Sequence, residues 1–365
     1  MSTARINLIG GSAYSTVGGI QAVNRRLVTD LAAHDFLRQA FFLWDNEATA
    51  TAEGLAARER GLASFYSLRH RAFLFDLLRQ SLRHPSDLWL CTHVNYAALV
   101  GLATCFSSRR MGVLVHASEL DERLTWSKRF GLRRAGRVFA VSNFTKKKAI
   151  GLGVRPERVS VLYNGVDDPC PGYRPRFASK PSQTILFVGR LDERYKGQGD
   201  LLDAMVLLRR RLPDLRLVFV GGGRSLGEWK EEANRRNLSA VVEFRGHTTA
   251  AELSHAYEEA MLFAMPSQNE GFGLVYAEAM AHGLACVGSD YDAASEVIVH
   301  GETGYCVPAG NATALADAIL TLVRSPQLRE QFGRAGRQRF TANFTAACYR
   351  DRLIAAATGW RDAPG

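Results

Sequence analysis

Residues 267–283 read SQNEGFGLVYAEAMAHG and directly follow the apolar run 260–265 and a proline. The apolar run predicts a buried strand, and the good helix formers at 274–281 predict a helix. Gly271 and Gly273 lie between the two and allow the chain to turn sharply. Because the first amides of a helix lack intrahelical partners and carry partial positive charge, this strand, turn and helix predict a site for an anion, above all a phosphate.

Two carboxylates, Glu270 and Glu278, stand on either side of this turn with seven residues between them. A pair of glutamates on a solvated helix is the simplest interpretation, but the glycines and the preceding strand disfavour it. The spacing, with Pro266-Ser267 before it and Gly271-Phe272-Gly273 within it, resembles the E-x7-E signature of the retaining nucleotide-sugar glycosyltransferases of family 4. That resemblance implies the GT-B fold, an α/β architecture of two Rossmann-like parallel-sheet domains facing a central cleft.

Length and composition agree with a globular protein of two domains. The chain has 365 residues, of which 47% are hydrophobic and 22% charged, enough for two cores of ordinary size. The six cysteines include no C-x-x-C pair, which argues against a zinc site or a disulfide framework and fits a reducing cytosol. We expect no signal peptide before the first strand-like segment, and the longest apolar run, 97–106, is too short to span a bilayer.

The positive charge is unevenly distributed along the chain. Residues 1–175 hold 24 Lys and Arg against 14 Asp and Glu, a net charge of +10 that equals the excess of the whole chain. A basic half predicts an anionic partner, such as a membrane surface, a nucleic acid or a phosphorylated acceptor.

The chain begins with a strand at 6–9, a glycine-rich loop at 10–19 and a helix at 20–33, the opening of a nucleotide-type α/β domain. No G-x-G-x-x-G fingerprint is present, so the loop does not indicate NAD. By resemblance, Gly18 and Gly19 let the backbone approach the donor diphosphate or the acceptor; a tight turn without a ligand is the alternative. His116 follows a predicted strand at 112–115, where the family keeps a histidine near the donor sugar, although the residues around it differ from the commoner family pattern.

Two basic segments with interleaved aromatic residues lie in this half. Residues 65–83 predict an amphipathic helix that either rests on an anionic membrane or packs on the sheet with solvated arginines. Residues 122–137 are the stronger interfacial candidate, because Trp126 and Phe130 are four residues apart and share a helix face. No nucleic-acid-binding motif accompanies these charges, so we expect no nucleic-acid partner.

A cluster of prolines and glycine at 169–175 predicts a boundary. We therefore predict an acceptor-binding domain at 1–168, a linker at 169–182 and a nucleotide-sugar-binding domain at 183–340. A C-terminal helical segment at 341–365 is expected to pack back on the first domain, as it does in the family.

The second domain carries further residues that the resemblance assigns to the donor. Arg190 and Lys196, in a G-R … K-G element after the strand at 184–188, would bind the diphosphate and neutralise the leaving nucleotide. The loop at Gly246 would lie near the base. Glu278 would bind the ribose hydroxyls. The backbone amides of Gly271, Phe272, Gly273 and Leu274 would hold phosphate or sugar. Glu270 would bind the sugar and stabilise positive charge at its anomeric carbon.

The sequence therefore predicts a retaining glycosyltransferase that moves a hexose from a UDP- or GDP-sugar to a lipid-linked or cell-surface glycan, as in polysaccharide, lipopolysaccharide or glycolipid assembly. We expect catalysis without a metal or another cofactor, because Arg190 and Lys196 would stabilise the departing diphosphate, and a peripheral location on the inner face of the cell membrane. The alternatives are a non-catalytic nucleotide- or nucleic-acid-binding protein of the same fold and a nucleotide-sugar epimerase.

Overall fold

The computed structural model describes residues 4–16, 18–103, 110–120, 124–172, 183–192 and 194–362. The chain divides into two compact units. Unit 1 runs to Asn164 and resumes at Tyr349, and unit 2 comprises Gly165–Cys348. Most of the predicted linker, residues 173–182, lies outside the described residues, so the boundaries drawn from the sequence stay predictions.

Unit 1 contains a parallel sheet of seven strands in the order β3-β2-β1-β4-β5-β6-β7. Chain order reverses between β1 and β4, which creates the crevice at the carboxyl ends of the strands where α/β sheets commonly bind ligands. The strands are β1 (Ile6–Gly10), β2 (Leu37–Phe42), β3 (Ala63–Phe65), β4 (Leu88–Cys91), β5 (Met111–Val115), β6 (Arg137–Ala140) and β7 (Val159–Val161).

Helices cover this sheet. Ser142 accepts a hydrogen bond from the Thr145 amide at 3.0 Å and caps the helix α6 (Asn143–Gly151), as its position before a helical run predicts. The ring of Trp360 packs edge-on to Phe139 at 5.8 Å and over Gly112, where a Cβ would stand 2.7 Å from that ring. The helices of this unit are α1 (Gly19–Ala33), α2 (Ala52–Glu59), α3 (His70–Arg83), α4 (Ala97–Ala103), α5 (Trp126–Arg134), α6 (Asn143–Gly151) and the last helix of the chain, α14 (Ala346–Arg361).

Unit 2 contains a second parallel sheet, in the order β10-β9-β8-β11-β12-β13, with a corresponding reversal between β8 and β11. Its strands are β8 (Thr184–Val188), β9 (Arg216–Val220), β10 (Val242–Gly246), β11 (Leu262–Met265), β12 (Cys286–Ser289) and β13 (Gly304–Val307). Its helices are α7 (Gln198–Leu208), α8 (Leu226–Arg235), α9 (Ala250–Glu259), α10 (Leu274–Ala281), α11 (Ala294–Val297), α12 (Ala312–Arg324) and α13 (Pro326–Asn343).

These two sheets with their helices confirm the predicted α/β class with two parallel-sheet, Rossmann-like domains. The helix expected from residue 65 begins only at His70, because Ser67 and Leu68 adopt positive φ angles of 46° and 64° that a helix cannot contain. Among the described helices, none combines the length and the apolar character needed to cross a bilayer.

Candidate functional site

Three neighbouring strands of unit 2 deliver charged residues to one edge of the sheet. Lys196 follows β8, Glu270 follows β11 and Asp292 follows β12, and these strands are adjacent in the order β8-β11-β12. The Lys196 ammonium lies 2.8 Å from Glu270 Oε2, and the two side chains are only 13% and 19% exposed. Two residues predicted for the same site from distant parts of the sequence are therefore in direct contact.

Asp292 fixes the turn that carries Glu270. Its Oδ2 accepts hydrogen bonds from the Ser267 hydroxyl and from the Glu270 amide, both at 2.7 Å, and its Oδ1 accepts one from the Ala294 amide at 2.9 Å. Burial raises the pKa of Asp292 to about 6, although these three donors oppose the shift. A buried carboxylate with three donors holds the Glu270 backbone at one position before any ligand arrives.

Gly273 sets the geometry at the start of α10. Its φ of +85° is left-handed, and a Cβ there would stand 2.4 Å from the Tyr276 ring, so only glycine fits. Tyr276 in turn donates its hydroxyl to the Met265 carbonyl at the end of β11. The first turn of α10 is thus fastened to the preceding strand, with its N-terminal amides beside the pair formed by Lys196 and Glu270.

Glu278 lies one turn further along α10 and is half-buried. Its Oε2 accepts a hydrogen bond from the Tyr257 hydroxyl at 2.8 Å, and burial raises the pKa of Glu278 while this hydrogen bond opposes the shift. Tyr257, at the end of α9, therefore orients the second glutamate of the motif.

The remaining predicted donor residues of unit 2 occupy loops at the same edge of the sheet. Arg190 is an exposed residue just after β8. Gly246, with a φ of +70°, ends β10, and its carbonyl accepts from the Gly221 amide at 2.8 Å. The Phe272 ring is buried edge-on to Phe344 at 5.6 Å, so this residue can offer its backbone to a ligand but not its ring.

In unit 1, Asp45 organises the glycine-rich loop after β1. Its fully buried carboxylate accepts hydrogen bonds from the Ser12 hydroxyl at 2.5 Å and from three successive amides at 2.8–3.0 Å, those of Ala13, Tyr14 and Ser15. These donors are occupied by a carboxylate of the protein itself. Beyond them, Gly18 caps α1 and Gly19 begins it, so the predicted close-approach glycines lie at a helix N-terminus.

His116 is buried at the carboxyl end of β5. Its Nε2 lies 3.1 Å from the Thr92 carbonyl, and its amide donates to Glu119 at 2.8 Å. Burial lowers the pKa of His116 to about 4, so the ring is neutral near pH 7. The geometry makes Nε2 the protonated nitrogen, because a carbonyl can only accept.

Family models match both parts of the chain. Residues 17–168 match the model described as Glycosyltransferase Family 4, and residues 174–339 match the model Glycosyl transferases group 1. The GDP-mannose-dependent alpha-(1-6)-phosphatidylinositol monomannoside mannosyltransferase of Mycolicibacterium smegmatis is 30% identical over 295 residues, which is 76% of this chain and 77% of that protein. The chain belongs to glycosyltransferase family 4.

Other family 4 relatives match a shorter part. The phosphatidyl-myo-inositol mannosyltransferase of Mycobacterium leprae is 38% identical over 179 residues, covering 47% of this chain and 46% of that protein. The chain thus spans about half the length of the phosphatidyl-myo-inositol mannosyltransferases that it matches.

A solved structure confirms the predicted fold of this family 4 chain. Anabaena Alr3699/HepE, crystallised with UDP, superposes with a TM-score of 0.79 over 97% of this chain and 100% of that chain, at 20% identity. At that identity the likeness concerns the fold alone, which is GT-B.

Asp292, Tyr257 and Asp45 are the residues of this family 4 chain that the sequence analysis missed. Each acts through a partner far along the chain, so no short motif contains both partners. One signal was available for Asp292, since it closely follows a predicted strand whose carboxyl end lies at the ligand edge of the sheet.

Proposed function

We propose that this chain is a retaining glycosyltransferase that moves a hexose from a nucleotide sugar to a lipid-linked or cell-surface glycan acceptor. The contact between Lys196 and Glu270, held beside the N-terminus of α10 by Asp292 and Gly273, is the observation that carries the proposal. A cation, a carboxylate and helix amides at one point provide what a sugar diphosphate needs: positive charge for the phosphates and an acceptor for the sugar hydroxyls.

In this proposal each residue acts on a different part of the donor. Lys196 and Arg190 bind the diphosphate, and their attraction grows as the bond to the anomeric carbon breaks and negative charge moves to the leaving group. Glu270 accepts hydrogen bonds from the sugar hydroxyls and stabilises positive charge on the ring. Glu278, oriented by Tyr257, binds the ribose. Retention follows from attack of the acceptor on the face that the diphosphate leaves, with the leaving phosphate as the base.

The donor that we favour is GDP-mannose, since the Mycolicibacterium smegmatis mannosyltransferase that aligns with 76% of this chain is named as dependent on GDP-mannose. UDP-sugars are the other donor class.

No metal is required, because Lys196, Arg190 and the helix amides supply the positive charge that a divalent ion would otherwise contribute.

The acceptor proposal rests on the surface of unit 1. α3 buries Phe73 and Leu77 but exposes a second apolar row beside its arginines. That row consists of Leu74, Phe75, Leu78 and Leu82, the last of which is 82% exposed. A helix that is apolar on its outer side and also basic fits the surface of an anionic membrane.

α5 presents a second surface of this kind. Trp126 and Phe130 stack at 5.4 Å, with Trp126 78% exposed, and Lys128 and Arg133 lie on the same helix. Indole rings favour the boundary between lipid headgroups and acyl chains. We therefore place the protein on the cytoplasmic face of the membrane, with a lipid-linked acceptor.

The decisive experiment is donor hydrolysis without acceptor, measured across GDP-, UDP- and ADP-sugars with no added divalent metal. We expect slow release of GDP from GDP-mannose, lost in Glu270→Ala and retained in Glu302→Ala, which removes an exposed glutamate of the same unit. Release that depends on added Mn²⁺ or Mg²⁺ would contradict the metal-independent mechanism. Nucleotide binding without turnover, even with lipid extracts as acceptor, would favour a non-catalytic binding protein.

Membrane contact is tested separately by co-sedimentation with vesicles. Wild type should bind anionic vesicles better than neutral ones, and the double variant Trp126→Ser/Phe130→Ser should lose most of that binding. Leu207→Ser, which removes a half-exposed apolar residue of unit 2, is the matched control. Equal binding to neutral and anionic vesicles would refute the membrane proposal and would leave the proposal about the sugar donor unaffected.

A further inference from the structure

Three potential metal ligands converge within unit 2, away from the pair formed by Lys196 and Glu270. Cys170 lies in the segment 168–172, Glu258 near the end of α9, and His282 directly after α10. One ligand atom from each lies within 4.8 Å of the other two, and all three side chains are half-buried. The residues come from distant parts of the sequence, so no spacing motif reveals the cluster.

The distance between the two softer ligands matches a zinc site. Cys170 Sγ and His282 Nδ1 are 3.5 Å apart. With Zn–S of about 2.3 Å and Zn–N of about 2.05 Å, two ligands at a tetrahedral angle are about 3.6 Å apart. A thiol hydrogen-bonded to the imidazole could have the same separation, but the nearby Glu258 carboxylate supplies a third ligand that such a pair does not need.

The backbone of Cys170 is held in place by Arg337. The guanidinium donates to both oxygens of Asp168 at 2.7 and 2.6 Å, to the Cys170 carbonyl at 2.9 Å and to the Ala281 carbonyl at 2.8 Å. The Cys170 amide also donates to Asp168 at 3.0 Å. One arginine therefore fastens the segment that carries the thiol to the end of the helix that precedes His282.

The histidine is held as well. Its ring stacks on Tyr257 with centroids 5.1 Å apart and planes 13° apart. Glu258 is the next residue along α9, so the stacking brings the end of that helix and its carboxylate alongside the imidazole. Ligands that are ordered before the ion arrives lose little conformational freedom on binding it.

We propose that Cys170, Glu258 and His282 bind a zinc ion that ties the segment 168–172 to the ends of α9 and α10. Thiolate, imidazole and carboxylate form a donor set suited to Zn²⁺, whereas Mg²⁺ and Ca²⁺ prefer oxygen alone. Binding displaces the proton of the Cys170 thiol into solvent, and the described residues fill three tetrahedral positions, with water as the fourth ligand. The ion plays no part in the proposed sugar transfer.

The test is equilibrium dialysis of the full chain against Zn²⁺, and separately against Co²⁺ as a spectroscopic substitute. Wild type should hold one ion per chain, and the Co²⁺ form should absorb in the near ultraviolet through its bond to the thiolate. Cys170→Ser should abolish that absorption, and Cys170→Ser and His282→Gln should each weaken Zn²⁺ binding by at least the roughly 10–100-fold typical of changes around a metal. The matched controls Cys348→Ser and His255→Gln, which alter a cysteine and a histidine of unit 2 outside the cluster, should bind as wild type.

Glu258→Gln keeps the test decisive if the other variants fold poorly, because it alters a half-buried carboxylate near the end of a helix. It should weaken Zn²⁺ binding and reduce the rise in melting temperature that Zn²⁺ produces in wild type. Binding of less than one ion per chain by wild type, or unchanged binding in Cys170→Ser, would overturn the proposal. Since the readouts are stoichiometry, absorbance and melting temperature, neither outcome depends on whether the chain transfers a sugar.

Discussion

The two units have related parallel sheets, but their polar groups are used differently at the carboxyl edge. In unit 2, Lys196 and Glu270 face each other beside a helix N-terminus, and the groups around them hold the turn in place. In unit 1, the amides that follow β1 already bind Asp45, and the ring of His116 is committed to a backbone carbonyl. The edge of unit 2 is thus arranged to receive an anion, whereas much of the edge of unit 1 is internally satisfied.

The exposed surfaces of the two units also differ, and here the distinctive features belong to unit 1. Most of the large apolar side chains that are exposed among the described residues belong to unit 1, chiefly on α3 and α5. The net positive charge of the chain also lies there. These differences support our proposal that unit 2 binds the donor and that unit 1 attaches to a membrane surface.

Removing the charge of Lys196 should have the largest effect. We expect Lys196→Met to slow donor hydrolysis by about 10²–10³-fold, because a buried cation aimed at a developing negative charge contributes that much to many enzymes. The measurement is nucleotide release from the active donor. Lys147→Met, which removes an exposed lysine of unit 1, should stay within about twofold of wild type; an equal loss in both variants would mean that general charge, and not this site, drives catalysis.

Replacing Asp45 should destabilise the protein without weakening the donor site. Asp45→Asn leaves one acceptor oxygen where two now serve a hydroxyl and three amides, so we expect a loss of about 3 kcal/mol in the free energy of unfolding. Urea unfolding measures it, with Glu47→Gln as control, since that exposed carboxylate pairs with Arg58 on the surface and its replacement should cost under about 1 kcal/mol. If Asp45→Asn instead abolished nucleotide binding while stability was kept, the loop would belong to the donor site.

Structural features that lie within one contiguous stretch of sequence are predicted well. The strand, turn and helix around Gly273 are a contiguous pattern, and Lys196 and Glu270 are recognisable because each lies in its own motif. Asp292 and Asp45 could not be found in this way, since each holds residues 22 or more positions away and only the sheet order brings them together. The late start of α3 depends on two positive φ angles at ordinary residues, which nothing in the side-chain pattern indicates.

Acid should weaken the protein through His116. Between its folded pKa of about 4 and its ordinary value of 6.5 the unfolded chain binds the extra proton, so stability is lost as the pH falls through this range. The shift corresponds to about 3 kcal/mol at most. Urea unfolding at pH 7 and pH 4.5 should give a smaller difference for His116→Gln than for wild type, while His70→Gln, at an exposed histidine, should behave as wild type. An unchanged difference in His116→Gln would mean that the ring is not buried in its neutral form.

Asp292 should produce a smaller effect of opposite sign, because burial raises its pKa from 3.8 to about 6. The folded protein binds the proton more tightly, so this carboxylate makes stability fall as the pH rises through 6. Between pH 5 and 7, where only part of the shift is titrated, we expect about 1 kcal/mol. Unfolding of Asp292→Asn should lack this contribution, so its stability should fall more steeply on acidification than that of wild type. Changes of opposite sign in the pH dependence of His116→Gln and Asp292→Asn would demonstrate that burial disfavours the charged form of both groups, the imidazolium in unit 1 and the carboxylate in unit 2. An unchanged pH dependence in Asp292→Asn would mean that the pKa of Asp292 is not raised, because the hydrogen bonds that the carboxylate accepts offset the effect of its burial.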